Sequence, residues 1–317
     1  MEANSPKVVV VGASYIDIAM KCPHMPVPAQ TVKGSSFSCS VTGPGPNQAT
    51  QAALCGCDVH LISKIGSDMF GDQIKKNLQK FNVNIETLFT AEAISTGARF
   101  TIVNNEGENA TCTCCGANAA LSVENIEDAE KFIAQANVCL IHGSLPHDTI
   151  SRTIRLAKLN NTPVIINPSI PIDNSKDYKE LPINFFADNI VVPNLYEAAQ
   201  ITEHSAANIN TARIIGSELL EMGAKAAVIT MGKKGSMVID RNGADHIPAF
   251  EIELVDQTCT GDAFSGALAA SYVAKQNIRE ATVFASAAGA LACTKFGSVE
   301  SLASRSEIIE LLQSQEI

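Results

Sequence analysis

The sequence predicts an α/β fold with a mostly parallel central sheet, helices on both faces and a small β-sheet lid. Three observations carry this. Short β-branched runs alternate with helical segments from Val123 to Met231, and a βαβα order closes as a parallel sheet covered on both sides. The run Lys7 to Val11 is apolar from Val8 onward, as a strand buried on both faces must be. Two blocks, about 14–42 and 96–115, read as strands but break the alternation. They are expected to form a separate sheet inserted in a single domain spanning 1–317.

Taken in order, the first strand ends at Gly12-Ala13-Ser14, with Asp17 just beyond. The stretch from Ile18 to Thr42 is rich in Pro, Ser and Thr, with short alternating pieces such as Thr31 to Phe37, so it reads as edge strands off the main sheet. Next comes Thr42-Gly43-Pro44-Gly45-Pro46-Asn47-Gln48-Ala49, a turn opening a small-residue helix to about Gly56. Val59 to Ile65 reads as a strand. Phe70 to Phe81 reads as a helix with Phe70, Ile74, Leu78 and Phe81 on one face. From Thr96 to Thr113 strand-like sequence is broken by the turn residues Asn104 to Asn109. An inserted sheet of this kind covers one edge, and its open face offers a homodimer surface or a mobile lid.

The regular alternation then follows: helix over 123–136, strand 138–142, helix 149–158, strands 163–166 and 189–192, helices 197–201 and 211–222, and strand 226–231. Two short antiparallel strands, 235–239 and 245–247, close the far edge. Two helices of small residues, about 261–275 and 278–294, complete the chain before the loop Lys295-Phe296-Gly297-Ser298.

With 317 residues and 46% hydrophobic content the chain can bury a large core. Its net charge of -10 and a pI near 5.1 exclude a general attraction to nucleic acid or anionic membrane, so any anionic ligand must be held locally. No signal-peptide layout and no spanning apolar run is present, and the expected location is the cytoplasm. The ten cysteines are scattered in small or apolar contexts, as reduced thiols are. Cys112 and Cys115 have a CxxC spacing, but no second pair follows at finger-like distance.

In such folds ligands lie past the carboxyl ends of the strands, where the polar residues are Asp17, Ser144, Asn167, Asn194, Glu197 and Thr230, with Gly232 beside them. Gly12 stands alone, so the dinucleotide fingerprint is missing. Asn47, between glycines at a helix start, can bond hydroxyls in two directions or simply cap a turn. Val255 to Phe264 is a small-residue turn opening a helix. The unpaired amides of such a helix start suit an anion, and Asp262 in its first turn is placed to take a proton from an attacking hydroxyl. An N-capped core helix would carry the same pattern.

The whole pattern resembles the ribokinase-like (PfkB) carbohydrate kinases over nearly the full chain, from Val8 to about Leu311, and within that family the ribokinases. Gly43, Gly45 and Asn47 match the family's first motif, and Asp256 through Asp262 the second. Gly66-Ser67-Asp68, Asn105 to Asn109, Gly116-Ala117-Asn118, Asn194 with Glu197, and Ile229-Thr230-Met231-Gly232 match further stretches in order. The resemblance implies a ribokinase-like three-layer fold and an ATP-dependent sugar kinase using Mg²⁺ and K⁺. It implies Asp262 as base, with amides of Cys259, Thr260 and Gly261 as the anion hole. Asp17, Gly43, Gly45 and Asn47 would hold the sugar, with Ser144 standing where ribokinases carry a Glu. Asn194, Thr230, Gly232, Gly235 and Ser286 would lie along ATP, and Glu197 would reach Mg²⁺ through water. Asp256, Thr258, Ala292, Lys295, Gly297 and Ser301 would ring a monovalent cation.

Other departures fall at the acceptor end: Tyr15 replaces an Asn, Thr42 a Gly and Pro44 a Lys, and Pro46 adds a second stiffener. Cys259 and Thr260 replace Gly or Ala, which need not disturb a hole made of backbone N–H groups. A ribose-like sugar is the leading acceptor. A nucleoside or a phosphosugar is the alternative within the fold, with Arg99 the obvious phosphate clamp. A catalytically weak sugar- or nucleotide-binding regulator is the alternative of another class.

Overall fold

The computed structural model describes residues 5–169, 181–182, 184–206 and 208–315. Its strands are β1 (Lys7–Val11), β2 (Tyr15–Lys21), β3 (Ser36–Thr42), β4 (Asp58–Gly66), β5 (Val83–Asn84), β6 (Leu88–Ala91), β7 (Gly97–Val103), β8 (Asn109–Cys114), β9 (Val138–His142), β10 (Val164–Asn167), β11 (Ile190–Val191), β12 (Ala226–Thr230), β13 (Ser236–Asp240) and β14 (Gly243–Ile247). Its helices are α1 (Pro44–Leu54), α2 (Met69–Lys80), α3 (Val123–Asp128), α4 (Glu130–Gln135), α5 (His147–Leu159), α6 (Leu195–Ile201), α7 (Ile209–Glu221), α8 (Thr260–Lys275), α9 (Ile278–Ala292) and α10 (Arg305–Ser314).

The large sheet runs β14-β13-β12-β11-β10-β9-β1-β4-β5, with β6 also on β4, and is parallel except at β13 and β14. Its centre shows why the apolar run at Val8 to Val11 needs two covered faces. Val8 and Val10 enter one core with α1, α2, α8, α9 and α10, while Val9 and Val11 enter the other with α3 to α7. Alternation along the strand thus makes three layers. Because β1 has β4 on one side and β9 on the other, sheet order reverses there and a crevice opens at the carboxyl ends.

The smaller sheet has the order β3-β2-β7-β8, with β2 antiparallel to β3 and parallel to β7. In that register Asp17 pairs with Arg99, and Ile18 with both Cys39 and Phe100. One face therefore carries Tyr15, Asp17, Arg99 and Thr101, and the other Ile18, Met20, Phe37 and Phe100. Two polar clamps root this sheet. Asp68 caps α2 at Gly71 N (2.9 Å) and accepts from Thr96 N and Oγ1 (both 2.7 Å) just before β7. Buried Asn118 accepts from Ser14 N (2.7 Å) and donates to Ser14 O (2.8 Å) just before β2.

Several expectations shift in detail. The glycine-proline stretch expected as a turn is largely the first turn of α1, where prolines lose no helical hydrogen bond. The single helix expected over 123–136 is two helices meeting at Ala129. The strand piece expected at Thr31 to Phe37 lies instead at Ser36–Thr42, set by its pairing with β2. Strands β5 and β6 and helix α10 were not anticipated.

Candidate active site

The start of α8 faces the start of α1 across the crevice. Asp262 Oδ2 accepts from Asn47 Nδ2 at 2.8 Å, and Oδ1 accepts from Gln48 Nε2 at 3.0 Å. Asn47 is held in turn, its Oδ1 accepting from Ser298 Oγ at 3.0 Å, and Ser298 Oγ meets Thr42 Oγ1 at 2.8 Å. Gln48 Nε2 also reaches Asn167 Oδ1 at 3.3 Å. Burial pushes the Asp262 carboxyl above its usual range, and the bonds from Asn47 and Gln48 and the charge of Arg99 offset this only in part. A carboxylate oriented by two amides, with a raised proton affinity, has the chemistry that a general base requires.

The helix start supplies the other half. Cys259 is left-handed (φ 67°) directly before the helical Thr260, and such an αL–αR succession turns consecutive N–H groups into one concavity. Among the described residues the amides of Cys259, Gly261 and Asp262 have no intrachain acceptor, and Thr260 N has only a 3.5 Å approach to Gln257 O. No β-carbon at Gly261 would meet anything within 4 Å. The helix start that carries Asp262 thus leaves these amides without an acceptor among the described residues.

Close backbone packing explains the glycines opposite. A β-carbon on Gly45 would come within 2.6 Å of Gly12 O, and one on Gly43 within 2.7 Å of Ala13 O. Gly45 N donates to Ala13 O at 3.0 Å. These residues bring α1 against the end of β1 and so place Asn47.

Tyr15 is buried, 3% exposed. Its ring lies between Gly43 and Gly97, and the Arg99 guanidinium sits 4.9 Å from its centroid. Asp17, on the same sheet face, accepts from Thr101 Oγ1 at 3.1 Å. Ser144 is turned to His142: its N–H donates to Nδ1 at 3.2 Å and its Oγ lies 2.7 Å from the same nitrogen. The ring proton of His142 therefore sits on Nε2. Burial, with Arg99 nearby, pushes the His142 pKa down to about 3, so the ring is neutral.

Farther along the crevice Asn194 caps α6. Its Oδ1 accepts from Glu197 N, and Glu197 Oε2 accepts from Asn194 N, both at 2.9 Å. Burial pushes the Glu197 carboxyl up to about 7. Asn194 bridges to Thr230, whose N–H donates to Pro193 O at 3.0 Å. Gly232 (φ 56°) leaves open space, whereas Gly235 packs against β14. Ser286 Oγ lies 3.3 Å from Ser236 Oγ.

Behind α8, Asp256 Oδ1 accepts from Thr258 N (2.9 Å) and Oγ1 (2.7 Å), and Oδ2 from Gly297 N (3.1 Å). Burial would raise this carboxyl, but these bonds outweigh it and hold the pKa low. Val255 N and Asp256 N donate to Cys293 O, and Ser301 Oγ to Ser298 O at 2.7 Å. The 256–258 and 292–301 segments thus form one double loop. The Lys295 side chain turns away to Glu307.

Sequence reasoning had not singled out Gln48, Ser298 or His142. Gln48 adjoins Asn47 and could have been read from the helix start. Ser298 meets Asn47 across 251 positions, and no local signal marks it.

Against known proteins, the profile of the pfkB family carbohydrate kinases matches residues 5–305. The ribokinase of Mus musculus is 30% identical over 270 residues, covering 84% of this chain and 82% of its own. That of Haemophilus influenzae is 29% identical over 304 residues, with 96% and 97% covered. The solved structure of Arabidopsis thaliana ribokinase with ribose and ATP superposes with a TM-score of 0.89 at 22% identity, covering 98% of this chain and 99% of that one, a likeness of fold. A match over so much of the chain settles its kinship: the protein belongs to the pfkB family of carbohydrate kinases.

Proposed function

We propose that this protein transfers the γ-phosphoryl group of ATP to a hydroxyl of a ribose-like sugar. The observation that carries the reading is the Asp262 carboxylate, oriented by Asn47 and Gln48 beside the unpaired amides of Cys259, Gly261 and Asp262. Asp262 takes the proton of the attacking hydroxyl while the amides, with Thr260, meet the negative charge of the transferred group. Asp17, Asn47 and the backbone around Gly43 and Gly45 hold the sugar, with Ser144 at its margin. Asn194, Thr230, Gly232, Gly235 and Ser286 line the nucleotide.

Mg²⁺ fits the Glu197 end: the carboxylate uses one oxygen on Asn194 N, and burial leaves it short of positive charge. When bound, the ion would neutralise phosphate charge. K⁺ fits the double loop behind α8, which offers Asp256, Ser301 and peptide carbonyls at Thr258, Ala292, Lys295 and Gly297, an all-oxygen donor set. Replacing K⁺ by tetramethylammonium is expected to lower the rate, and an unchanged rate would remove the cation from the account.

The chain acts as one unit, 1–317, with the small sheet as lid. Its outward apolar face exposes Phe37 (73%) and Phe100 (51%), which a second copy would cover to make a homodimer. Phe37→Glu is expected to give a monomer by light scattering. A wild type that is already monomeric at high concentration would refute the lid dimer. The unbridged cysteines, with Cys39, Cys112 and Cys114 exposed, fit a reducing compartment, and we place the protein in the cytoplasm. Among the described residues no helix is long and apolar enough to cross a membrane.

Burial of Tyr15 under Arg99 removes the ring that would have stacked on a nucleobase, which favours a sugar over a nucleoside. The deciding experiment follows ADP release with ATP, Mg²⁺, K⁺ and a panel of pentoses, hexoses, nucleosides and sugar phosphates. No turnover on any of them would sink the reading.

A further inference from the structure

The lid places in the acceptor end of the crevice a cation, Arg99, that forms no ion pair among the described residues. Arg99 is the parallel register partner of Asp17, so both side chains stand on the same face of the lid sheet. That is also the face carrying Tyr15, over which the guanidinium lies at 4.9 Å. Arg99 is near enough to Asp262 and to His142 for its charge to act on both.

Yet Arg99 has no ion pair with any described residue. Asp17 takes its hydrogen bond from Thr101, and Asp262 takes its two from Asn47 and Gln48. Arg99 Nε is buried without a hydrogen-bond partner. A guanidinium has five N–H donors in a fixed fork that matches a carboxylate or phosphate. Burying part of that fork unpaired is unfavourable unless something that binds supplies the acceptor.

The neighbouring groups point the same way. Tyr15 is a flat support that fixes the fork by cation–π contact. His142 and Ser144 bond to each other and bring no negative charge to the wall. Nε2 of His142 has no hydrogen-bond partner among the described residues and carries the proton, so it can add a neutral donor.

We propose that Arg99 is the specificity-determining residue of the acceptor site, and that the preferred acceptor is a sugar bearing an anionic group, a phosphate ester or a carboxylate, held by the Arg99 fork. The proposal rests on the kinase reading and narrows its acceptor class. Asp17 and Asn47 still meet hydroxyls, while Arg99 selects the acceptor by its charge.

The test compares three acceptors of similar size: a neutral pentose, its terminal phosphate ester and its terminal acid. Each is tested for binding without ATP by calorimetry and for turnover with ATP by ADP release. The expected result is that one anionic acceptor, phosphate or carboxylate, binds more tightly and has the highest kcat/KM. In Arg99→Ala the ratio of anionic to neutral kcat/KM falls about 10- to 100-fold, the loss of a charge-assisted pair. Arg99→Lys recovers part of it, because the charge remains without the fork. ATP binding by each variant confirms that it is folded. If the neutral pentose binds and reacts best in the wild type, the proposal is overturned while the kinase reading stands. If anionic sugars bind through Arg99 but nothing is turned over, the kinase reading fails and the anion site remains. Equal selectivity in wild type and Arg99→Ala also overturns it.

Discussion

Asp262→Asn is expected to lower kcat by about 10²- to 10⁴-fold, the range attributed to general base catalysis, while ATP binding stays close to wild type. The variant is a clean probe because the site can absorb it. Asp262 accepts from two side-chain amides, so a new NH₂ group would face a donor on one side. Gln48 can relieve this by turning its amide to present Oε1, which has no hydrogen-bond partner as it stands, at the cost of its 3.3 Å bond to Asn167 Oδ1. Asn47 is less free, because Ser298 holds its Oδ1. The pH dependence adds a second readout. Burial raises the Asp262 pKa above the ordinary range, and the base works only as carboxylate. The wild-type rate therefore falls as pH drops through that raised value, and the variant loses this limb. Stability moves the other way. A carboxyl with a raised folded pKa contributes stability that is present below its unfolded pKa and lost as pH rises through the folded one. Removing the ionisation should thus leave the variant more stable than wild type at neutral pH. A variant retaining most of its activity would make Asp262 only a helix residue.

How much of this was legible beforehand follows from the range of each interaction. The parallel sheet was readable because a strand buried on two faces must be apolar throughout, as Val8 to Val11 are, and because helix periodicity is local. The lid was readable as strands out of phase with the alternation. The two-residue β5 is too short for any period to show. Helix α10 was missed although Ser304 and Glu307 form a capping box, a signal present in the sequence and overlooked. At the candidate site, Asp262 and Asn47 can be singled out in the sequence because each sits in a helix start with small neighbours. The contact between them spans 215 positions and no local pattern encodes it. The glycines of α1 were legible as necessary but not for their role. Their partners are backbone atoms of Gly12 and Ala13, which only the fold brings near. Tyr15 was legible only as a departure. Its burial depends on Gly43, before α1, and on Gly97 and Arg99 of β7, which meet it from two distant parts of the chain.

Gly261→Ala is the substitution for which folding and catalysis should part. A glycine in the first turn of α8, with no positive φ, gives up backbone entropy that alanine does not, and alanine there should raise stability by about 0.5 kcal/mol. Nothing obstructs the methyl, since no atom lies within 4 Å of the position its carbon would take. That open space lies beside the unpaired amides and the Asp262 carboxylate. If a phosphoryl group passes there, the methyl displaces it by a fraction of its own size, and a misplacement near 1 Å can cost about 10²-fold in rate. The expected result is a slightly higher melting temperature together with kcat/KM lower by about 10²-fold, measured on the same preparation. Neighbouring Cys259 and Thr260 make the comparison sharper. Their side chains are already larger than methyl, and the hole tolerates them because Cys259 turns into the left-handed region at φ 67° and packs against the cluster of Ala263, Ala292, Val299 and Leu302. Position 261 has no such escape, because its conformation is set by the helix. A Gly261→Ala protein that gained stability and kept its full kcat/KM would show that the amide concavity holds nothing during turnover, and the transferred group would have to be placed elsewhere.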